Sequence, residues 1–503
     1  MNSPERRSPK CLLLMLAGAA LLTGCRAAPR FDEQPIRIDK LGDTGQIISF
    51  DMDKDGQADY WQRLDCSGRK VELRFGARPG EPNERVQPDN ITPQEAPHFI
   101  IALDGVPYEL VEELYRQGRF RLFYPPSRVV SCFPGMTNPA FQRVFGGEQP
   151  IAYESKYFDR KKNRMVGGTG SYLDSQAEDW AGILDYRCSS ESKALAYIKP
   201  DLVFKHEMRE ITDLFQKAKQ GTKTAYSVAT AGLGTRGGRE AILEYLRTID
   251  QWCEQIVYER RGKVKISLLA DHGHSPSGKG RVSFKKLLEE NGYNPASRLK
   301  DPEDVVAVEF GLVTYAAYYT DDPAGVASAL LKDPRATLAC YPAASGQTTS
   351  DGLNVVVQTN LGRAKVCRRQ GRFGYEIEYG DPLELLDIIS QLRQRGKVNA
   401  EGLIEDRAVF GATLNHTYPD PLRRVWLAFD GLVQQPPDVI VCLEDGWVHG
   451  SSLFYSALGR VASTHGSLNQ PNSMTFAMTT LGELPPALRL EEVMPNLKTL
   501  ERD

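Results

Sequence analysis

The chain has 503 residues, a formal net charge of -3, 41% hydrophobic residues and 25% charged ones. That length accommodates one large α/β core with an appendage, or two to three smaller units. The composition excludes a low-complexity or highly charged chain, and the near-neutral balance gives no bulk attraction to nucleic acid or to anionic lipid.

At the N-terminus, Arg6, Arg7 and Lys10 precede the apolar stretch 11–22. The stretch is short for a bilayer span and has signal-peptide proportions. It ends in Leu22-Thr23-Gly24-Cys25, which resembles a bacterial lipobox. The resemblance implies that residues 1–25 are a lipoprotein signal peptide and that Cys25 is diacylated as the first mature residue. The chain is then exported and held at the cell envelope, with the lipid anchor as its only membrane contact. Arg26, where an aspartate is absent, favours an outer-membrane destination in a host that has one. The alternative is an ordinary secretory signal with a chance cysteine. Of nine cysteines, Cys11 and Cys25 fall here; the other seven are irregularly spaced, form no metal ribbon and set no disulfide pairing.

Residues 26–96 read as a small β-rich appendage. Strands are expected at 47–50, 60–64 and 70–75, with Gly68 in a turn and a Pro-, Asn- and Glu-rich linker over 76–97. Asp51, Asp53, Asp55 and Asp59 occupy positions one, three, five and nine of a loop with Gly56 at six, the front half of a calcium loop. Position twelve is Gln62 rather than a bidentate glutamate, and the flanks are strand-like. Both calcium binding and a solvated β-turn remain open there.

From residue 97 to 503 strands and helices alternate. The apolar runs 99–103, 128–132, 264–270 and 437–443 are strand candidates, and helices are expected at 108–115 and 240–258. This pattern predicts an α/β fold with a mostly parallel sheet, in which ligands bind beyond the carboxyl ends of the strands. Asp104-Gly105 follows the first run, Phe133-Pro134-Gly135-Met136-Thr137-Asn138 the second and Asp271-His272-Gly273 the third; Thr464-His465-Gly466 comes late. Singly, each is an ordinary turn or loop.

In this order, the four motifs resemble the type I phosphodiesterase/nucleotide pyrophosphatase branch of the alkaline phosphatase superfamily, over roughly residues 97–503. The resemblance implies a doubly wound, mostly parallel sheet with helices on both faces, and a bimetallic zinc-type centre. By position, Asp104, Thr137, Asp271 and His272 match the ligands of the metal that holds the nucleophile. Thr137 matches the nucleophile, and His465 a ligand of the second metal. Asn138, beside Thr137, is placed to donate to a phosphoryl oxygen. The substrate class implied is a phosphate ester, of a small molecule or of the envelope; no nucleic-acid scaffold is implied, and oligomeric state is open.

The sequence departs from that pattern at the second metal. Its aspartate and histidine positions, in the stretch 229–238, carry Ala231 and Thr235. Asp201 and His206 offer an alternative alignment with a spacing one residue too long, and His274 and His449 are unassigned. One complete site and one degraded site leave three outcomes. The first is a one-metal hydrolase in which Arg236 or His465 supplies the missing positive charge. The second is a catalytically impaired protein that binds phosphorylated or sulfated ligands. The third is a scaffold. Residues 305–403, with the distinctive Tyr379-Gly380-Asp381-Pro382-Leu383, are expected to carry surface or cap elements over the site.

Overall fold

A computed structural model describes residues 31, 33–76, 84–174, 179–343 and 352–502. The lipobox and Cys25 lie outside them. Among the described residues no helix is long and apolar enough to cross a membrane.

The central sheet has six strands. Their order is Thr222–Ser227, His98–Leu103, Lys265–Ala270, Met474–Thr479, Ser127–Val130, Ala487–Arg489. The first three run parallel. Met474–Thr479 is antiparallel to both neighbours, and Ala487–Arg489 is parallel to Ser127–Val130. His98–Leu103 and Lys265–Ala270 are buried at every position, which accounts for their near-continuous apolar runs: both faces of the sheet are covered. Leu103 pairs with Ala270 in register, and Leu103 with Ser227. Asp104 and Asp271 therefore leave the sheet side by side. Val130 pairs with Met474, and the antiparallel Met474–Thr479 begins at the carboxyl end of Lys265–Ala270. The Phe133–Thr137 loop thus emerges at that same edge.

A second sheet of nine strands spans residues 294–443. Only its first pairing, Asn294–Pro295 with Asp304–Val308, is parallel; the others are antiparallel. Much of 305–403 belongs to this sheet. Val439–Leu443 also belongs here, between Tyr315–Thr320 and Ala336–Pro342, not to the parallel sheet. A five-residue apolar run looks the same in either setting, because periodicity is silent when both faces are buried.

The appendage is a five-stranded antiparallel meander from Arg37–Lys40 to Glu84–Val86. Its last strand falls within the stretch expected to be linker. The meander shares the main hydrophobic core, through Phe50, Tyr60, Leu73 and Phe75. Tyr60 packs edge-on against Tyr258, with ring centroids 5.2 Å apart. Glu254 accepts from Gln62 at 3.1 Å and pairs with Lys70. The helix that carries Glu254 and Tyr258, Ala229–Glu259, is kinked at Gly238 (φ 63). Its far end docks the appendage and its first turns face the site. From Gly238 to Tyr258 the helix runs on unbroken, roughly 30 Å at 1.5 Å per residue, which holds the Asp-rich loop away from the Asp104–Asp271 edge.

The seven described cysteines are free; six are buried and Cys66 is exposed.

Candidate metal centre

Asp104, Asp271 and His272 bring one ligand atom each to within 4.8 Å of one another, and all three are buried. Asp104 is fixed from behind. Its backbone N–H donates to Thr230 Oγ1 and its carbonyl accepts from the same hydroxyl, each at 2.8 Å. Tyr226 donates its hydroxyl to Asp104 Oδ2 at 2.5 Å. Asp271 Oδ1 accepts the N–H groups of Gly105 (3.0 Å) and His272 (2.9 Å). These bonds orient one oxygen of each carboxylate and leave Asp104 Oδ1 and Asp271 Oδ2 facing inward. Two glycines make the approach possible. Gly105 has φ 67, and a Cβ there would meet both the His272 and His274 rings. A Cβ on Gly273 would lie 2.1 Å from the carbonyl oxygen of Pro471.

The imidazole of His272 is oriented by Gly273, whose carbonyl lies 2.9 Å from Nδ1. A carbonyl only accepts, so Nδ1 carries the proton and Nε2 presents a bare lone pair. That lone pair lies 3.2 Å from Asp271 Oδ2 and 3.6 Å from Asp104 Oδ1. Asp271 Oδ2 and His272 Nε2 are both buried without a hydrogen-bond partner among the described residues. Burial pushes the Asp271 carboxyl up to about 7 and the His272 imidazole down to about 4. Acceptors facing acceptors in a buried site is an unfavourable arrangement, and a divalent cation among them would satisfy all three at once. The residues present fit a metal with carboxylate and imidazole ligands.

Thr137 opens the helix Thr137–Phe145, after the Phe133–Pro134 turn. Its hydroxyl donates toward Asp104 Oδ1 at 3.5 Å. Asn138 is next in the same first turn, and both residues are partly exposed, as a group that meets substrate must be. The loop is clamped by Arg424, a buried cation that forms no ion pair with a carboxylate among the described residues. Arg424 donates to the carbonyls of Cys132 (3.1 Å), Pro419 (3.0 Å) and Leu468 (2.9 Å) and to Ser473 Oγ (2.5 Å).

His465 is brought to the same place. Ser275 and Thr464 bridge the two segments, and the His465 ring stacks on His272 with centroids 3.9 Å apart. His465 Nδ1 faces the Gly135 carbonyl at 2.7 Å. The positions expected to hold the other ligands of a second metal carry none. Ala231 and Thr235 lie in the first turns of the helix Ala229–Glu259. The alternative pair fares no better: Asp201 and His206 sit on Pro200–Lys217, and His206 faces Arg209 and Glu210. His449 lies in another sheet, beside Phe284 and Tyr318. Arg236 donates to the Leu458 carbonyl. His274 does reach the cluster; its ring centroid is 5.5 Å from that of His465. Among the described residues, no group of three metal-ligating side chains forms around His465.

Sequence reasoning assigned no role to Tyr226, Thr230 or Arg424. Tyr226 and Thr230 bracket the end of a parallel strand, a position that carried a usable signal; Arg424 carried none.

The other such group is Asp51, Asp53 and Asp55. Asp51 accepts from Asp55 N and Gly56 N, Asp55 from Gln57 N, and Asp59 from Met52 N. The turn caps itself with these bonds.

No family model and no curated protein matches the sequence. Among solved structures, the chain is similar to phosphonoacetate hydrolase from Sinorhizobium meliloti 1021, at 12% identity and a TM-score of 0.43, over 83% of this chain and 97% of that one. It is similar to human and murine ectonucleotide pyrophosphatase/phosphodiesterase 5, each at 11% identity over 80% of this chain and 94% of the other, with TM-scores of 0.42 and 0.41.

Proposed function

We propose that the chain is a metal-dependent hydrolase of phosphate esters, of the alkaline phosphatase superfamily, with Thr137 as nucleophile. The observation that carries this is the lone pair of His272 Nε2 facing Asp104 and Asp271, with the Thr137 hydroxyl beside them. Asp104, Asp271, His272 and Thr137 would hold one divalent ion, zinc by donor type. When bound, such an ion lowers the cost of the threonine alkoxide and offsets charge on the phosphoryl group.

The chain's own residues do the rest. Asp104 orients the Thr137 hydroxyl and directs its proton away from the incoming phosphorus. The N-terminal end of the helix Thr137–Phe145 offers free backbone N–H groups and its dipole to the phosphoryl oxygens. Asn138 adds a side-chain donor. Attack by Thr137 Oγ1 forms a phosphothreonine and breaks the ester P–O bond, and the alcohol leaves with a proton. Water then cleaves the phosphothreonine and releases phosphate.

We further propose that Cys25 anchors the chain by lipid at the cell envelope, so that the substrate is met outside the cytoplasm. A second reading is favoured by one observation, the absence of ligands at Ala231 and Thr235: a protein that binds phosphorylated or sulfated ligands without turnover. A panel of chromogenic phosphate mono-, di- and sulfate esters, with zinc, manganese or calcium and a Thr137→Ala control, separates the two. Thr137-dependent turnover of a phosphate ester supports the hydrolase. Metal binding without turnover of any ester favours the second.

A further inference from the structure

Building on the proposed hydrolase centre, we propose that it is mononuclear by construction, and that His274 makes it so by filling the second ion's place with its own imidazole. The first turns of the helix Ala229–Glu259 put Ala231, Gly234 and Thr235 on one face, since residues three and four apart are neighbours on a helix. That face meets His274. A Cβ at Gly234 would lie 2.8 Å from His274 Nδ1 and 3.0 Å from Cε1, so the ring rests directly on the helix backbone. Glycine at 234 and histidine at 274 are therefore one packing decision.

The ring is also held from its other sides. Ser463 Oγ lies 2.7 Å from His274 Nδ1, and the Ala462 N–H donates to the Thr235 carbonyl at 2.8 Å. Gly105 lies against both rings: a Cβ there would be in ordinary van der Waals contact, 3.6 Å from His274 Cδ2 and 3.4 Å from His272 Cε1. His272, His465 and His274 thus form a continuous run of rings, at centroid separations of 3.9 and 5.5 Å. Two-ion centres hold their ions about 4 Å apart. The place a second ion would take beside Asp104, Asp271 and His272 falls to the rings of His465 and His274, and the facing helix offers only Ala231 and Thr235 there. His274 is fully buried and its Nε2 has no hydrogen-bond partner among the described residues. With His465 it makes two imidazoles, fewer than the three protein ligands of a stable zinc site.

The test is a zinc count on the full-length chain, with crystals soaked in zinc and read by anomalous scattering. Wild type should take one equivalent, seen as one peak among Asp104, Asp271 and His272. His274→Phe, which keeps a ring, should still take one. Ala231→Asp/Thr235→His should stay at one, and adding His274→Ala to that pair should raise it to two. A wild-type count of two, a peak on His274 Nε2, or loss of an equivalent in His274→Phe would overturn the inference while leaving the hydrolase reading in place. So would two equivalents in the double variant or one in the triple. A wild type that takes no zinc would remove both.

Discussion

His272 Nε2 lies 3.6 Å from Asp104 Oδ1, and the opposite nitrogen of the same ring is committed to the Gly273 carbonyl. The pair therefore meets lone pair to lone pair. Replacing Asp104 by Asn removes one of the opposed charges along with one ligand. Zinc affinity should fall more than about tenfold, or about 1.4 kcal/mol, while the melting temperature of the metal-free chain does not fall. Melting curves with chelator and with zinc check both halves.

The pH dependence follows from Asp271. Its carboxyl titrates near 3.8 when exposed, and burial pushes it up to about 7 in the folded chain. Between those values the native state holds a proton that the unfolded state has released. The metal-free chain should thus lose stability as pH rises through about 7. Zinc must displace that proton, so its affinity should drop about tenfold per pH unit below 7. Titrations at several pH values, beside chelator melts, give both slopes. An affinity independent of pH between 5 and 7 would contradict the assignment of Asp271.

Thr137 should be separable from metal binding in degree. Thr137→Ala should lower ester turnover about a thousandfold or more, as loss of a nucleophile does, and retain a zinc ion on Asp104, Asp271 and His272. Thr137→Ser, which keeps the hydroxyl, should stay within about tenfold of wild type. Steady-state rates with zinc content measured on the same samples check this, and equal losses in the two variants would point to a structural role for Thr137.

Gly273 is a matter of space. A Cβ would lie 2.1 Å from the Pro471 carbonyl oxygen and 2.8 Å from that of Met474, both backbone atoms with nowhere to go. Gly273→Ala should cost about 3 kcal/mol, seen in denaturant unfolding. Gly292→Ala, with nothing within 4 Å, is the contrasting control, although its φ of 84 imposes a smaller strain of its own.

The parts of the site legible in sequence were those that sit directly after strands. Asp104 and Asp271 follow continuous apolar runs, and parallel register turns two distant motifs into neighbours without further information. The strand Lys265–Ala270 and the helix Tyr108–Arg116 stand where patterning put them, to within a residue. The nine-stranded sheet was not legible. Its strands pair antiparallel across long insertions, and runs such as Val439–Leu443 carry no mark of which sheet they join. The role of His274 was illegible for a different reason: it depends on the missing side chain at Gly234, a contact between helix backbone and ring that no spacing rule encodes.

The central claim is that Asp104, Asp271 and His272 hold a cation beside Thr137. Calorimetric zinc titration of the wild-type and Asp271→Ala chains, both shown to be folded, tests it most directly. Saturable binding in the wild type that disappears in Asp271→Ala is the expected result. Absence of binding in the wild type, or identical binding in both chains, would contradict it.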